Sequence, residues 1–364
     1  MKQLHANLWA QLQDFTYAHK RLSIGLIIGT VLVAAGGVTA ALFLLPKPTV
    51  TAAPANVTQK NTTPAPATKK YYSPLTGVEV PDQAATKRQV TAIMIENSIF
   101  ARPQSGIKDA GIVFEAIAEG GITRLATLHQ EDRPQLIGPV RSLRPYYLDW
   151  IAPFDASIAH VGGSANALNT VRNGSFKDID QFFNGGSYYR ATDRDAPHNV
   201  YTSFDRLDTL NQKKGFTSST FDAWPRKKET VATATTATTI TVPVSGADYN
   251  VAYDYDKASN VYIRHLGGGL SKDREGGQVT PKVVVILKVP TQLGFEDGYR
   301  EQMTTIGTGD AFIFQDGVVV QGHWHKDAQK SQMFFYDKNA HQIAFNPGQT
   351  WVTVVAPEKN VTWQ

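Results

Sequence analysis

The residues best equipped for chemistry lie between Gly138 and Ser164, where the chain reads GPVRSLRPYYLDWIAPFDASIAHVGGS. Arg141 and Arg144 stand three residues apart. On a helix they would share one face and could grip a phosphate or carboxylate with paired N–H groups. His160 closes an apolar run. Gly162, Gly163 and Ser164 then separate that run from a helical segment, a corner at which backbone N–H groups can converge on an anion. Each feature also has a plain structural explanation: a tight turn with a serine cap, a buried histidine, and arginines paired with acidic neighbours.

Glu115 and Glu119 add two carboxylates in the strand-like run GIVFEAIAE. At spacing four they share a face of a regular strand, where one carboxylate raises the other's pKa and the two can divide acid and base roles. They also suit salt bridges to Arg124, Arg141 or Arg144. Asn97, Arg102 and Gln104 follow the run VTAIMIEN, and the loop beyond a strand's C-terminal end is a frequent ligand position. His198 and Asn199 occur in the arginine-rich loop YYRATDRDAPHNVY. An acid–base reading makes Glu115 or Glu119 the base, His160 or His198 the acid, and Arg141 with Arg144 the anion clamp, all in one pocket. A binding reading uses the same residues without turnover. His323 and His325 share a strand face but have no evident carboxylate partner, so no metal is expected. Walker, HExxH, GxSxG and dinucleotide motifs are absent, and no cofactor is expected.

The elements that must position these residues follow from periodicity. Residues 90–97, 111–119 and 122–130 read as strands, the last two joined through Gly120-Gly121 as a hairpin. A helix is expected to start at Pro145, a strand at 155–161, and helices at 165–173 (capped by Ser164) and 203–214. Residues 72–225 therefore read as a mixed α/β (α+β) domain. A Thr/Ala-rich linker is placed at 226–239. From 240 to 364 short alternating segments predict a smaller all-β sandwich or barrel.

The N-terminal part predicts an address. Leu22–Leu45 is 24 residues without a charge, about 36 Å of helix, enough to span a membrane. Lys20 and Arg21 at its N-terminal end place residues 1–21 in the cytoplasm and the remainder outside. Residues 46–71, rich in Pro, Thr and Ala, read as a disordered tether. Net charge is +4 from 36 basic and 32 acidic residues, with no dense basic block, so nucleic acid is not an expected partner. The absence of cysteine excludes disulfides, thiolate metal sites and a cysteine nucleophile.

Several stretches together resemble the YerB-like lipoprotein family of bacteria. They are NSIFARPQSGIKDAGIVFEAIAEGGITR (97–124), IGPVRSLRP (137–145), AHVGGS (159–164) and APHNVY (196–201), then KDREGGQV (272–279), GTGDAFIFQDG (307–317), GHWHK (322–326) and NPGQTWVTVV (346–355). The resemblance implies an extracytoplasmic protein of two domains and unknown function, and supplies no reaction. This chain departs from it in lacking a lipobox cysteine, for which the apolar segment substitutes. The expectation is a single-pass cell-envelope protein binding an anionic or peptidoglycan-related ligand, an anionic wall polymer or an envelope protein. The alternative is a hydrolase or transferase acting on wall glycan or anionic wall polymer.

Overall fold

Among the described residues, runs rich in β-branched and other apolar residues at 91–96, 283–287 and 350–355 are buried on both faces. The computed structural model describes residues 69–364, which belong to one compact unit. Residues 1–68, with the expected membrane helix at 22–45, the cytoplasmic tail and nearly all of the tether, lie outside the described residues. Among the described residues no helix is long and apolar enough to cross a membrane.

The first segment contains β1 (Tyr71–Tyr72), β2 (Glu79–Val80), β3 (Thr91–Glu96), β4 (Ile112–Glu119), β5 (Ile122–His129), α1 (Pro145–Ile151), β6 (Ser157–Ala159), α2 (Ala165–Asn173), β7 (Lys177–Asp178), β8 (Tyr189–Arg190), β9 (Val200–Tyr201) and α3 (Phe204–Lys213). The second is nearly all strand: β10 (Thr239–Val242), β11 (Val251–Asp256), β12 (Val261–Leu266), β13 (Gly269–Leu270), β14 (Val283–Lys288), β15 (Thr291–Phe295), β16 (Arg300–Met303), β17 (Gly307–Gln315), β18 (Val318–Lys326), β19 (Phe334–Asp337), β20 (Thr350–Val355) and β21 (Thr362–Trp363). Local signals explain many boundaries. Gly120 and Gly121 take positive φ at the β4–β5 turn, as a two-residue hairpin requires. Proline opens α1, and the Ser164 hydroxyl accepts from the Ala167 N–H at the start of α2.

The two segments do not form separate sheets. One mixed sheet runs β19-β18-β17-β14-β20-β4-β5-β3-β6-β7. Its centre joins the halves of the chain: β20 lies parallel to β14 on one side and to β4 on the other, pairing Trp351 with both Val284 and Val113. The expected all-β character of 240–364 stands, but its sandwich or barrel is not a self-contained body, because one of its sheets is continuous with the first segment. The C-terminal strands divide between this shared sheet and a second sheet ordered β13-β12-β11-β10-β21. The stretch 226–239 is pinned rather than free. Arg226 donates to the carbonyls of Asn346 and Leu75, Lys227 N–H to Phe345, and Ala237 is fully buried.

Side-chain alternation sends the two faces of the large sheet into two cores. On one face Met94, Phe114, Ala126 and Val352 pack against α1 and α2. Trp224 is the hub there, its ring centroid 5.4–6.5 Å from those of Phe114, Phe154, Phe335 and Phe345. On the other face Ile95, Val113, Leu125 and Trp351 pack against the second sheet and α3. Continuous apolar strands such as VVVILK in β14 are what burial on both faces demands.

Candidate functional site

The polar end of β3 carries the most open chemistry. Glu96, its last residue, is 3% exposed. Its Oε1 lies 2.8 Å from His198 Nδ1 and accepts from the Ser98 hydroxyl at 3.0 Å, and Arg141 Nε stands 3.6 Å away. The second carboxylate oxygen, Oε2, is buried without a hydrogen-bond partner, and so is Arg141 Nε. Among the described residues neither His198 Nε2 nor the terminal nitrogens of Arg141 make a hydrogen bond. The Phe100 ring, itself largely exposed, lies 5.4 Å from the imidazole.

Each member is held from elsewhere in the fold. Arg141 N–H donates to the Met94 carbonyl on β3, and its own carbonyl accepts from Val161. His198 sits in a loop closed by Asn199, whose amide donates to Ala191 and Arg194 carbonyls and accepts from Arg190. Asn199 therefore shapes the loop. A carboxylate on Nδ1 fixes the imidazole and leaves Nε2 for an outside group. Ser98 approaches the same Nδ1, at 3.4 Å, so Glu96 and Ser98 compete for one nitrogen and no Ser–His relay is formed.

Glu119 belongs to a neighbouring network. Its carboxylate accepts from Arg124 Nη2 at 2.6 Å and from Arg144 Nε and Nη2 at 3.1 and 2.6 Å. Burial alone would raise its pKa, but the two guanidinium groups outweigh burial and hold the carboxyl below its ordinary value. That is the reverse of what a general base near neutrality needs. Arg124 also donates to the Ser142 carbonyl, leaving its buried Nε without a hydrogen bond, and Arg144 donates to the Leu143 carbonyl. Arg141 and Arg144 share no helix face, because Arg144 is the extended residue preceding α1. One reaches Glu96 and the other Glu119.

The pairing of Glu115 with Glu119 on one strand face is corrected by a bulge. The β4–β5 register shifts between Ile117 and Glu119. The extra residue turns Glu119 toward Arg124, which stands opposite Ala116, whereas Glu115 points into the other core. There Glu115 is fully buried. It accepts from Arg264 Nη2 at 2.8 and 2.7 Å and from Trp351 Nε1 at 2.9 Å, and Arg264 stacks over the Trp351 ring at 4.2 Å. Asn97 donates to Thr123 and, at 3.4 Å, to Glu115. Gln104 donates to Glu96 O and Asn97 Oδ1, while Arg102 engages Asn97 and the Asp248 carbonyl. These three residues brace the site from behind.

His160 is also structural. It is fully buried, and its ring nitrogens face two acceptors, Gly162 O at 2.7 Å and Asp178 Oδ1 at 3.0 Å. Neither nitrogen is left for a substrate. At the Gly-Gly-Ser corner an anion is indeed bound, but it belongs to the chain: Glu296 accepts from Ser164 Oγ at 3.2 Å and Asn166 N–H at 2.7 Å. Gly163 fits there by close approach, since a Cβ would crowd the Leu143 carbonyl oxygen at 3.0 Å. His323 and His325 take different neighbours, the Tyr336 ring and Asp327.

The expected single pocket is thus divided. Glu119, Arg124, Arg141, Arg144 and His198 gather around the ends of β3, β4 and β5, while Glu115, His160 and Ser164 are committed elsewhere. Glu96 and Ser98 were missed. The available signal was an acidic residue closing an apolar strand, TAIMIE, immediately before a polar loop.

Comparison with known proteins places this architecture. Residues 75–217 match the N-terminal domain, and residues 240–352 the C-terminal domain, of the family described as protein of unknown function DUF3048. The chain is 32% identical over 303 residues to "Putative lipoprotein YerB" of Bacillus subtilis (strain 168), covering 82% of this chain and 89% of that protein. It is also similar to the crystal structure of the YerB protein from Bacillus subtilis, with a TM-score of 0.72 and 30% identity over 80% of this chain and all of that one. The chain belongs to the YerB-like DUF3048 family, and its two segments are that family's N-terminal and C-terminal domains in order.

Proposed function

We propose that this protein is a membrane-associated, extracytoplasmic binding protein that takes an envelope ligand at the Glu96–His198–Arg141 cluster. The observation that carries this reading is a pair of incomplete groups side by side among the described residues: the buried Oε2 of Glu96, which has no hydrogen-bond partner, and the Arg141 guanidinium, which lies 3.6 Å from Glu96 Oε1 as an ion pair but makes no hydrogen bond. Buried polar groups are normally paired, and a lone open carboxylate oxygen beside an open guanidinium is costly unless a ligand or water completes them. A ligand offering an acidic group to Arg141 and an N–H to Glu96 satisfies both. Peptides of the cell wall and the tail of an envelope protein have that chemistry. The address rests on the charge-free stretch at 22–45 and on the lipoprotein name of the relative.

A hydrolytic reading retains one acid–base pair, His198 with Glu96, since Glu115 and Glu119 are committed to arginines. The test is to titrate purified protein with soluble wall fragments by calorimetry while following product release chromatographically. Binding without new products is expected, weakened by roughly tenfold or more in Arg141→Ala and Glu96→Gln, in line with loss of a charged hydrogen bond. Product formation that disappears in His198→Ala would establish the enzyme instead. Unchanged binding in both variants would dismiss the site.

A further inference from the structure

A second candidate site lies where the two segments meet. An open cavity of about 690 Å³ is lined by Arg102, Pro103 and Gln104 from the first segment and by Leu266, Leu270 and Lys272 among residues of the second. Its volume is in the range of small-molecule sites. The lining has two characters. Leu266, Leu270 and Pro103 make an apolar wall, and Leu270 keeps 44% of its surface exposed. The charged rim is basic in effect. Arg102 and Lys272 contribute to it, while the Arg274 guanidinium is paired with Asp193. The only carboxylate named in that lining, Asp273, has both oxygens occupied by the N–H groups of Gly106, Ile107 and Lys108 at 3.0, 3.1 and 3.3 Å.

The arrangement is built before any ligand arrives. Arg102 is fixed by Asn97 and the Asp248 carbonyl and lies 4.8 Å over the Tyr249 ring, yet its two terminal nitrogens each make only one of these bonds and retain a second N–H. Arg274 is tied across the cavity by its own N–H to the Gln104 carbonyl. Ser271, also in the lining, is held by Arg264 Nη1 at 2.8 Å, which links the wall to the buried Glu115 pair. Lys272 is exposed and has no side-chain partner among the described residues. A pre-organised Arg102 guanidinium and the Lys272 ammonium beside an apolar wall select a molecule with both an anionic head and a hydrocarbon part, because burying either half alone leaves the other surface unmatched.

We infer that this cavity binds an anionic amphiphile, the head against Arg102 and Lys272 and the chain along Leu266 and Leu270. Three probes separate the contributions in calorimetric titrations of the full-length protein: dodecyl phosphate below its micellar concentration, inorganic phosphate, and dodecyl maltoside. Saturable one-to-one binding of dodecyl phosphate is expected, with neither other probe binding comparably. Leu270→Asp and Lys272→Glu change exposed side chains, and equal melting temperatures verify that both variants fold. Each is expected to weaken dodecyl phosphate binding by roughly tenfold or more. The assignment is overturned if dodecyl phosphate does not saturate, if phosphate or dodecyl maltoside binds as well, or if either variant binds like the unaltered protein.

Discussion

Glu115 is the residue for which structure and chemistry give opposing expectations, so its replacement is informative. It stands on β4, fully buried, and its partner Arg264 on β12 is 1% exposed. Glu115→Leu removes the acceptor for two Arg264 contacts near 2.7 Å and for the Trp351 indole N–H. Among the described residues the guanidinium then keeps Ser271, the Trp351 face and the neighbouring Tyr253 hydroxyl, none of them anionic. Stranding one member of a buried pair costs about 3–5 kcal/mol. At roughly 2–3 °C per kcal/mol for a body of this size, the melting temperature falls by about 6–15 °C. Arg264→Met should cost a comparable amount, through the unpaired carboxylate. The double variant Glu115→Leu/Arg264→Met leaves no orphaned charge and should recover most of the loss, with a coupling energy of about 2 kcal/mol or more. Urea unfolding of the four proteins, followed by tryptophan fluorescence, measures the cycle. Additive costs, or a single variant that melts within about 2 °C of the parent, would refute the assignment of Glu115 as a structural ion-pair member.

Two further outcomes follow from groups away from the candidate site. His129 is fully buried beside Phe204, neither ring nitrogen meets a well-formed hydrogen-bond partner among the described residues, and burial, reinforced by Arg133, outweighs the nearby Asp109 and Asp132 backbone and pushes its pKa down to about 3. The unfolded chain binds the proton near its ordinary 6.5 while the fold excludes it, so stability is level above pH 6.5 and declines from there toward pH 3. The decline amounts to about 3 kcal/mol by pH 4.5, and His129→Leu should flatten the acid limb of a denaturation series; an unchanged acid slope would contradict it. Gly322 on β18 leaves no room for a side chain, since a Cβ would lie 1.9 Å from the Tyr336 carbonyl oxygen. Gly322→Ala should break the β18–β19 pairing and raise amide exchange across 334–337, and an unaltered exchange pattern would contradict that placement.

What was legible in the sequence was local. The β4–β5 hairpin announces itself through alternating apolar residues around Gly120-Gly121, α1 through Pro145, and α2 through Ser164, because each signal acts over a few residues. The merger of the two segments was not legible. It depends on β20 inserting between β14 and β4, pairing Thr350 with Ile112 across more than two hundred residues, and no periodicity encodes which strand an apolar run will adjoin. The first of the family's two matched regions ends at 217 and the second begins at 240, while hydrogen bonding carries the sheet across that gap.

The same limit explains the division of the expected pocket. A carboxylate in an apolar strand signals that something must compensate it, without saying whether the compensation is internal or supplied by a ligand. Glu115 is answered by Arg264, 149 residues away, and its spacing from Glu119 lost meaning once one extra residue entered β4. Glu96 resembles Glu115 in sequence context, closing a buried apolar strand. Only the hydrogen bonds separate them: the chain meets both oxygens of Glu115 but one oxygen of Glu96. An internally completed carboxylate stabilises the fold and gains nothing from a ligand, whereas an incomplete one is stabilised by whatever completes it. The unfilled oxygen therefore makes a more discriminating mark of a binding site here than burial, charge or spacing, each of which Glu115, Glu119 and His160 also possess.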